Sequence, residues 1–509
     1  MKISSSLLLA ALTLVSAGDI HATGGPDKGP GKPDNRELVE SNKLRRGLSR
    51  TGLLLHGVAL QAFADANGKT RAFGTKGHNA TVSYIKGLLD RTGYYDTYLQ
   101  SFPYTFSEGS GTFSADGTDY AAGYFTYGPA GEATGTIVPV NNFGCEQSDF
   151  PAEVAGNIAL VSRGTCEFGL KVALAGNAGA SAIAIYNNAA GNLAGTLGAP
   201  SRPDGPYVPA VSLSGEDGTV LLAAAQAGNL QGTVHVDALT EARYSSNIIA
   251  TTKEGDKNNI VMAGAHSDSV SAGPGINDNG SGSIGVLEVA LALTKYKVKQ
   301  AVRFAWWTAE EFGLVGAEHY VANLSAEEQS KIALYLNFDM IASPNFGYFI
   351  YDGDGSTFNL TGPAGSDHIE KTFEDYFRKE ARLPSAPSQF DGRSDYGPFL
   401  EAGIPSGGLF TGAEGLKTKE EAKLFGGEAG VSYDVNYHEA GDTLANCNVG
   451  AWIQNTKAIA HTVAVYARSL AGIPRGAGVL RRRVAIPKSI STNRKFACGG
   501  THNHNVDRI

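Results

Sequence analysis

The chain has 509 residues, more than one ordinary hydrophobic core organises, so we expect a large domain and at least one smaller module. Charged residues make up 18% of the chain and the formal net charge is -8, a balance that favours a globular protein and gives no indication of nucleic-acid binding. After the first residues, no apolar run approaches the roughly 20 residues of a membrane-spanning helix, so we expect no membrane span.

The first residues have the pattern of a signal peptide. Lys2 provides a positive charge, residues 7–15 form a short apolar run, and residues 15–17 are small enough for cleavage. We therefore predict a signal peptide over residues 1–17 and a secreted, extracellular protein. The vacuole or another secretory-pathway lumen is the alternative location, and a non-cleaved anchor is the other interpretation of the apolar run. Residues 18–35 are predicted to be a linker or pro-segment, because they include a stretch rich in Gly, Pro, Lys and Asp.

Sequons and cysteines fit an exported protein. Three Asn-x-Ser/Thr sequons are compatible with a glycosylating pathway, at Asn79, Asn323 and Asn359. A fourth, at Asn279, lies in a loop that we assign below to a metal site, so we expect no glycan there. Cys145 and Cys166 are close in sequence and are expected to form a disulfide. Cys447 and Cys498 are candidates for a second one, and the absence of CxxC spacing argues against a cysteine zinc site.

The region after the leader is predicted to be helical. Apolar residues recur at helical spacing over residues 38–64 and again over residues 80–89, after the turn-like Gly74-Thr75-Lys76-Gly77. We assign residues 36–111 to the N-terminal part of a domain that resumes at residue 241.

Residues 112–240 have a different sequence pattern, in which glycines separate short apolar strands such as residues 158–161. A helix is predicted from residue 171 to residue 178, so this part is a compact β-rich module with one or two helices. Three motifs mark it, namely Val161-Ser-Arg-Gly-Thr-Cys-Glu-Phe168, Lys171-Val172 and Ala178-Gly-Ala180. They resemble the protease-associated domain, a non-catalytic insert beside a peptidase site. The resemblance implies a bridge between Cys145 and Cys166 and an influence on substrate access.

Residues 241–472 alternate strands with helices. Buried strands are predicted at residues 260–265, 302–307 and 334–338, and a helix at residues 284–293. This alternation predicts an α/β fold with a mostly parallel central sheet flanked by helices. Ligands in such folds collect at the carboxyl ends of the strands.

The C-terminal segment, residues 473–509, is basic. From Pro474 onward it contains eight Lys and Arg residues against one acid. We predict a flexible, solvated tail, with a removable or regulatory extension as the alternative.

The predicted strands are followed by side chains of metal-ligand type, which are His266, Asp268, Asp278, Glu310, Glu311, Asp339 and, from a distant loop, His438. Two neighbouring zinc ions need one bridging carboxylate and two further ligands each. Asp278 suits the bridge. One ion then takes His266 and Asp339. The other takes Glu311 and His438, so the sequence predicts two zinc ions per chain.

Each of these residues also has a plainer interpretation. His266 and Asp268 could be a hydrogen-bonded pair, adjacent glutamates favour a helix start, and Asp339 could be a cap. Their shared position at strand ends favours the metal interpretation. Serine catalysis is disfavoured because no Gly-x-Ser-x-Gly elbow follows a strand.

The adjacent pair Glu310-Glu311 separates two roles. Neighbouring residues in a loop point in different directions, so Glu311 can bind metal while Glu310 faces the attacking water. A base at Glu310 would take a proton from that water and pass it to the leaving amine.

Together these segments resemble the co-catalytic zinc aminopeptidases of the secreted leucine aminopeptidase and aminopeptidase Y type. The motifs are Ala265-His-Ser-Asp-Ser-Val270, Asn277-Asp-Asn-Gly-Ser-Gly282, Thr308-Ala-Glu-Glu-Phe-Gly-Leu-Val-Gly316, Asn337-Phe-Asp-Met340, Asp391-Gly-Arg-Ser-Asp-Tyr-Gly-Pro-Phe399, Gly407-Gly-Leu-Phe-Thr-Gly412 and Tyr437-His438. The resemblance runs from about residue 36 to residue 471, with the protease-associated module inserted. It implies the same five ligands, with Asp278 bridging and Glu310 as general acid and base.

The resemblance also implies three roles outside the ligand set. Asp268 would orient His266. Tyr437 would hydrogen-bond the oxyanion of the reaction, and Arg393 would lie near the substrate. Several relatives flank the Tyr-His pair with two cysteines, whereas this chain has Asn436 and Gly441 there, so that local disulfide is absent.

The implied activity is removal of single amino acids from the N-termini of peptides or proteins, with apolar first residues such as leucine preferred. We also expect the protein to be a monomer. Two other members of the superfamily are alternatives, a zinc carboxypeptidase and a glutaminyl cyclase. A non-catalytic receptor-like protein is a third alternative, and the presence of all five ligand candidates argues against it.

Overall fold

The computed structural model describes residues 35–475. The predicted signal peptide, the linker up to residue 34, and the basic tail from residue 476 onward, with Cys498, lie outside the described residues. The described chain forms two compact units. The larger unit consists of residues 35–102 and 244–475, and the inserted unit consists of residues 103–243.

The helices are α1 (Ser41–Arg46), α2 (Arg50–Asp65), α3 (Lys76–Thr92), α4 (Phe168–Asn177), α5 (Gly215–Ala227), α6 (Gly282–Leu293), α7 (Val315–Ala322), α8 (Ala326–Lys331), α9 (Ser366–Asp375), α10 (Tyr396–Glu401), α11 (Lys419–Phe425) and α12 (Val449–Arg468). The strands are β1 (Tyr95–Ala115), β2 (Thr118–Tyr120), β3 (Ala122–Thr126), β4 (Gly131–Pro139), β5 (Ile158–Ser162), β6 (Ala182–Tyr186), β7 (Gly195–Thr196), β8 (Ala210–Leu213), β9 (Gln231–Thr252), β10 (Asp256–His266), β11 (Gln300–Trp307), β12 (Ile332–Phe338), β13 (Phe349–Tyr351), β14 (Ala386–Ser388) and β15 (Ser406–Phe410).

Hydroxyl caps determine where the N-terminal helices begin. The helical spacing predicted over residues 38–64 is interrupted between α1 and α2, because Ser49 adopts extended backbone and its side chain accepts a hydrogen bond from the Gly52 amide. Thr75 caps α3 in the same way, with its side chain accepting from the His78 amide. The turn-like residues before the predicted second helix are therefore its cap and first turn.

The larger unit is built on a mostly parallel sheet, with strand order β14-β13-β15-β12-β10-β11-β9. β10 pairs in parallel with both β11 and β12, and β12 pairs in parallel with β15. The register sets His266 opposite Trp307 and Gly264 opposite Asn337. The carboxyl ends of β10, β11 and β12 therefore lie side by side.

Helices cover both faces of this sheet. Along β11, Val302, Phe304 and Trp306 join a core cluster with residues of α6 and α12. Ala305 and Trp307 point to the other face, where they join a cluster that includes residues of α7 and α10. Because successive strand residues face opposite sides, a strand buried on both faces is apolar throughout. The predicted α/β class is confirmed.

The inserted unit is β-rich with two helices, as predicted. From β4 its strands follow the order β4-β5-β6-β8-β3-β7, with β4 also pairing antiparallel to the first part of β9. Helices α4 and α5 pack against this sheet. Cys145 and Cys166 form the expected disulfide, with their Cα atoms 5.9 Å apart. Cys447, in the larger unit, forms no disulfide within residues 35–475, and its candidate partner Cys498 lies outside that range.

Among residues 35–475, no helix combines the length and the apolar character that crossing a bilayer demands.

Candidate metal centre

Three strand ends deliver most of the predicted site residues. His266 is the last residue of β10, and Asp339 directly follows β12. Glu310 and Glu311 begin a single turn of 3-10 helix, which Thr308 and Ala309 separate from the end of β11. Because the strands are adjacent and parallel, these side chains meet at one edge of the sheet.

Asp278 is presented by a tight turn before α6. Gly275 starts this turn with φ of +58°, a left-handed conformation that favours glycine. Asp442 then accepts the backbone N–H groups of Asn277 and Asp278 at 2.8 and 2.9 Å, one on each carboxylate oxygen. The turn is thus held by a residue that lies four positions after His438.

The first group of candidate ligands consists of His266, Asp278 and Asp339. His266 Nε2 lies 3.2 Å from Asp278 Oδ1 and 3.3 Å from Asp339 Oδ1. All three side chains are buried. Their ligand atoms could therefore surround one cation.

The second group consists of Asp278, Glu311 and His438. His438 Nε2 lies 3.2 Å from Asp278 Oδ2 and 3.1 Å from Glu311 Oε2. Asp278 therefore belongs to both groups and offers a different oxygen to each. A carboxylate placed in this way could contribute to two cation sites.

The distances and the donor set fit zinc. Two ligand atoms that each lie 2.0–2.1 Å from a tetrahedral zinc ion are roughly 3.3 Å apart. Imidazole nitrogen and carboxylate oxygen are zinc ligands, and Asp339 Oδ1 is a buried acceptor with no hydrogen-bond partner among the described residues. A cation at the first group would satisfy this oxygen.

Glu310 stands apart from both groups. Its Oε2 is 3.8 Å from His266 Nε2, and its side chain is buried. Burial raises the pKa of the Glu310 carboxyl well above its usual range, against the opposing effect of His266, and Asp339 raises it further. An environment that favours the protonated acid suits a group that holds and releases a proton.

Asp268 lies behind His266. Its Oδ1 is 3.6 Å from His266 Nδ1, longer than a normal hydrogen bond, and it accepts the backbone N–H of Glu310 at 3.3 Å. Asp268 therefore connects the loop of the candidate base to the ligand histidine.

Tyr437 and Arg393 meet beside the second group. Arg393 donates to the Tyr437 hydroxyl oxygen at 3.1 Å and to both carboxylate oxygens of Glu414 at 2.8 and 3.2 Å. The Tyr437 ring stacks on His438 with centroids 3.8 Å apart. Because the phenol oxygen accepts from Arg393, its own proton remains available for another acceptor.

Polar contacts hold the loop around Tyr437, which has Asn436 and Gly441 at its flanks. Asn436 donates to Asn446 at 2.7 Å, and Asn446 donates to Asp434. A Cβ atom on Gly441 would lie 2.0 Å from the Asn436 side-chain oxygen, so a larger residue there would displace the Asn436 side chain. The segment that carries Tyr437 is held by this packing.

Sequence reasoning missed three supporting residues. Ser394 donates to Asp339 Oδ2 at 2.6 Å and accepts from Asn337 at 2.8 Å, which leaves Asp339 Oδ1 directed at His266. Ser394 and Asn337 lie in motifs that we quoted, but neither received a role. Asp442 carried no signal beyond its proximity to His438 in sequence.

Comparisons with known proteins agree with this geometry. The model of Peptidase family M28 matches residues 247–463, and the PA domain model matches residues 133–221. The protease-associated resemblance of the inserted unit is therefore confirmed.

Two curated relatives cover most of the chain. The chain is 50% identical over 441 residues to the probable leucine aminopeptidase 2 of Aspergillus oryzae, which covers 86% of this chain and 89% of the relative. It is 48% identical over 476 residues to leucine aminopeptidase 2 of Trichophyton rubrum. This match covers 93% of this chain and 94% of the relative.

Solved structures show the same fold. The aminopeptidase from Aneurinibacillus sp. strain AM-1 is 28% identical with a TM-score of 0.64, covering 84% of this chain and 96% of that one. BSAP, a zinc aminopeptidase from Bacillus subtilis, is 25% identical with a TM-score of 0.58, and the match covers 87% of this chain and 100% of BSAP. The chain belongs to peptidase family M28 and is a metallo-aminopeptidase.

Proposed function

We propose that this chain binds two zinc ions, one at each ligand group, and hydrolyses the first peptide bond of its substrate. The observation that carries the proposal is the position of Asp278, whose two oxygens face His266 and His438 at 3.2 Å each. A carboxylate that faces a different histidine with each oxygen can bridge two ions. A simple ion pair would require only one of these histidines.

Zinc, when bound, supplies Lewis-acid activation of water and of the peptide carbonyl. The remaining steps belong to side chains. Glu310 takes a proton from the attacking water and delivers it to the leaving amine. Asp268 holds the backbone amide of Glu310 and so sets where that carboxylate lies.

Tyr437 donates its hydroxyl proton to the substrate carbonyl oxygen as negative charge develops there. The hydrogen bond from Arg393 to the Tyr437 oxygen supports this role, because it orients the phenol and stabilises partial negative charge on it. Glu414 in turn holds the Arg393 guanidinium.

The proposed substrate is a peptide or protein with a free α-amine and an apolar first residue such as leucine. The names of the Aspergillus and Trichophyton relatives support leucine. Buried and half-buried carboxylates around the centre supply the acidic surroundings that a protonated α-amine prefers.

The test is hydrolysis of leucine p-nitroanilide together with the zinc content of the purified protein. We expect two zinc ions per chain, loss of activity in a chelator, and recovery on addition of zinc. An N-acetylated leucine anilide should resist hydrolysis, as should a peptide with a blocked N-terminus and a free C-terminal leucine. Cleavage of the latter would indicate a carboxypeptidase, and pyroglutamate from an N-terminal glutamine would indicate a cyclase.

We also propose that the protein is a secreted monomer with an N-terminal signal peptide cleaved after residue 17. The exposed sequons at Asn79, Asn323 and Asn359 are proposed glycan sites, while the fully buried Asn279 is not. Mass spectrometry of the secreted protein would identify its N-terminus and the occupied sequons.

A further inference from the structure

Arg71 lies between α2 and α3, far in sequence from every candidate ligand, yet its side chain is fully buried. Arginine is rarely buried completely unless its charge and its N–H groups find partners. The partners of this guanidinium therefore indicate what it does.

All three described hydrogen bonds of the guanidinium go to backbone carbonyls of one loop. Nη1 donates to Ser267 at 2.6 Å, Nε to Pro274 at 2.8 Å, and Nη2 to Gly275 at 2.5 Å. The planar fork of an arginine has fixed directions, so three simultaneous bonds fix the relative positions of these carbonyls. Ser267 and Gly275 are brought together across the loop.

The backbone beside Arg71 adds further contacts to the same loop. The Arg71 amide donates to the Ser269 hydroxyl at 3.1 Å, and the Ser269 amide donates back to the Arg71 carbonyl at 3.3 Å. Thr70 donates its hydroxyl to the Val270 carbonyl at 2.9 Å. Thr70 and Arg71 thus contact the loop along most of the loop's length.

This loop separates two candidate ligands. His266 immediately precedes it, and Asp278 follows Gly275 by three residues. Because no regular helix or strand covers residues 267–275, the separation of these ligands depends on what holds the loop.

The charge of Arg71 also matters. Burial lowers the pKa of Arg71 to about 10, against the raising effects of Asp268, Asp442 and Asp278, so the guanidinium is protonated at neutral pH. It places a positive charge close to carboxylates that repel one another before any metal is bound.

We propose that Arg71 is a positioning residue that shapes the loop between His266 and Asp278 in the metal-free protein, so that zinc enters a site already formed. The inference rests on the proposed zinc function. Its opposite is a purely structural role, in which Arg71 joins the N-terminal segment to the core without affecting the metal site.

The test compares Arg71→Lys with wild-type protein. Lysine keeps the charge but cannot donate to three carbonyls in a plane. Zinc dissociation constants are measured by competition with a chelator of known affinity, and amide hydrogen exchange of the metal-free proteins is followed in peptides that cover residues 267–278. We expect zinc binding at least ~10-fold weaker in the variant, the scale at which supporting residues affect metal affinity, and faster exchange in that loop.

Arg475→Lys is the matched control. Arg475 also donates to backbone carbonyls, those of Asn258, Ser330 and Ile332, but it contacts no candidate ligand loop. We expect its zinc affinity to remain that of the wild type. Thr70→Val removes the hydroxyl that contacts the Val270 carbonyl, the Ala72 amide and Ser269 Oγ, and it leaves Arg71 in place. This variant keeps the test open if Arg71→Lys does not fold, and it should raise exchange in the same loop.

Three results overturn the inference: wild-type zinc affinity in Arg71→Lys, equal weakening in Arg475→Lys, or, if only Thr70→Val folds, unchanged loop exchange. A wild-type protein that binds no zinc would instead overturn the proposed function, and the inference with it.

Discussion

Glu310 and Glu311 are neighbours in sequence but meet different partners. Ala309 adopts a left-handed conformation with φ of +54°, so the chain turns sharply before the pair. Glu311 then reaches His438 at 3.1 Å, while Glu310 lies 3.8 Å from His266. Metal binding and proton transfer can therefore be tested separately.

Glu310→Gln should lower kcat for leucine p-nitroanilide by at least ~10²-fold while two zinc ions remain bound, because an amide cannot accept the proton. Kinetics and metal content are measured on the same preparation. Glu311→Gln is the paired variant and should lose one zinc ion. Loss of zinc from the Glu310 variant alone would mean that the two roles are exchanged.

Tyr437→Phe should lower kcat by roughly 10²-fold with little change in zinc affinity, since one oxyanion donor is removed. Tyr244→Phe is the control, because the Tyr244 side chain is 70% exposed and the substitution should leave kcat unchanged. The test is a comparison of kcat for both variants by steady-state kinetics. A Tyr437 variant with wild-type kcat would contradict the assigned role.

Among the elements, the start of α3 is tied to β9 and to the end of β10, the strand that carries His266. His78 Nε2 lies 3.0 Å from Ser267 Oγ, and Nδ1 lies 3.1 Å from Ser245 Oγ. Ser267 donates its own proton to the Trp307 carbonyl, so it accepts from Nε2–H. In the neutral ring, which burial favours, Nδ1 is then the acceptor.

His78 should make stability depend on pH. Burial lowers the pKa of His78 to about 4, whereas an unfolded histidine titrates near 6.5. The unfolded chain therefore binds more protons between these values. The stability that neutral His78 contributes is complete above pH 6.5 and is lost as the pH falls toward 4, by up to about 3 kcal/mol.

The check is urea unfolding of wild-type protein and His78→Gln between pH 4 and 7, both in chelator. The difference in unfolding free energy between the two proteins should shrink as the pH falls, because the variant has no imidazole to protonate. Parallel pH profiles would contradict the assignment.

The strand ends were predictable because a buried apolar run followed by an acid or histidine is a local pattern. The His266, Glu310 and Asp339 segments all have it. Ser394 and Asp442 could not be assigned from sequence, because their partners Asp339 and Asp278 are 55 and 164 positions away. Common residue types acquire these roles only through the register of the folded sheet.

In the whole molecule, the two units have different sources of stability. The larger unit contains both ligand groups, and the inserted unit contains the Cys145–Cys166 disulfide. Ligand binding stabilises only the part that binds, and a disulfide acts mainly on the chain that it closes.

Removal of zinc and the double substitution Cys145→Ser with Cys166→Ser should therefore affect different peptides in hydrogen exchange. Chelation should raise exchange around residues 436–442, within the larger unit. The disulfide variant should raise it within residues 103–243, with a loss of about 3 kcal/mol expected for a loop of this length. Uniform changes from either treatment would contradict independent stabilisation.

The order of the ligands along the chain has a consequence for biosynthesis. His266, Asp278 and Asp339 emerge from the ribosome well before His438 and Asp442, which complete the second group and hold the turn of Asp278. A nascent chain that lacks residues 438–442 has neither the histidine of the second group nor the contacts that hold the Asp278 turn. Under the proposed function, hydrolytic competence therefore requires the synthesis of residues 438–442, after the strands that carry the other candidate ligands have been made.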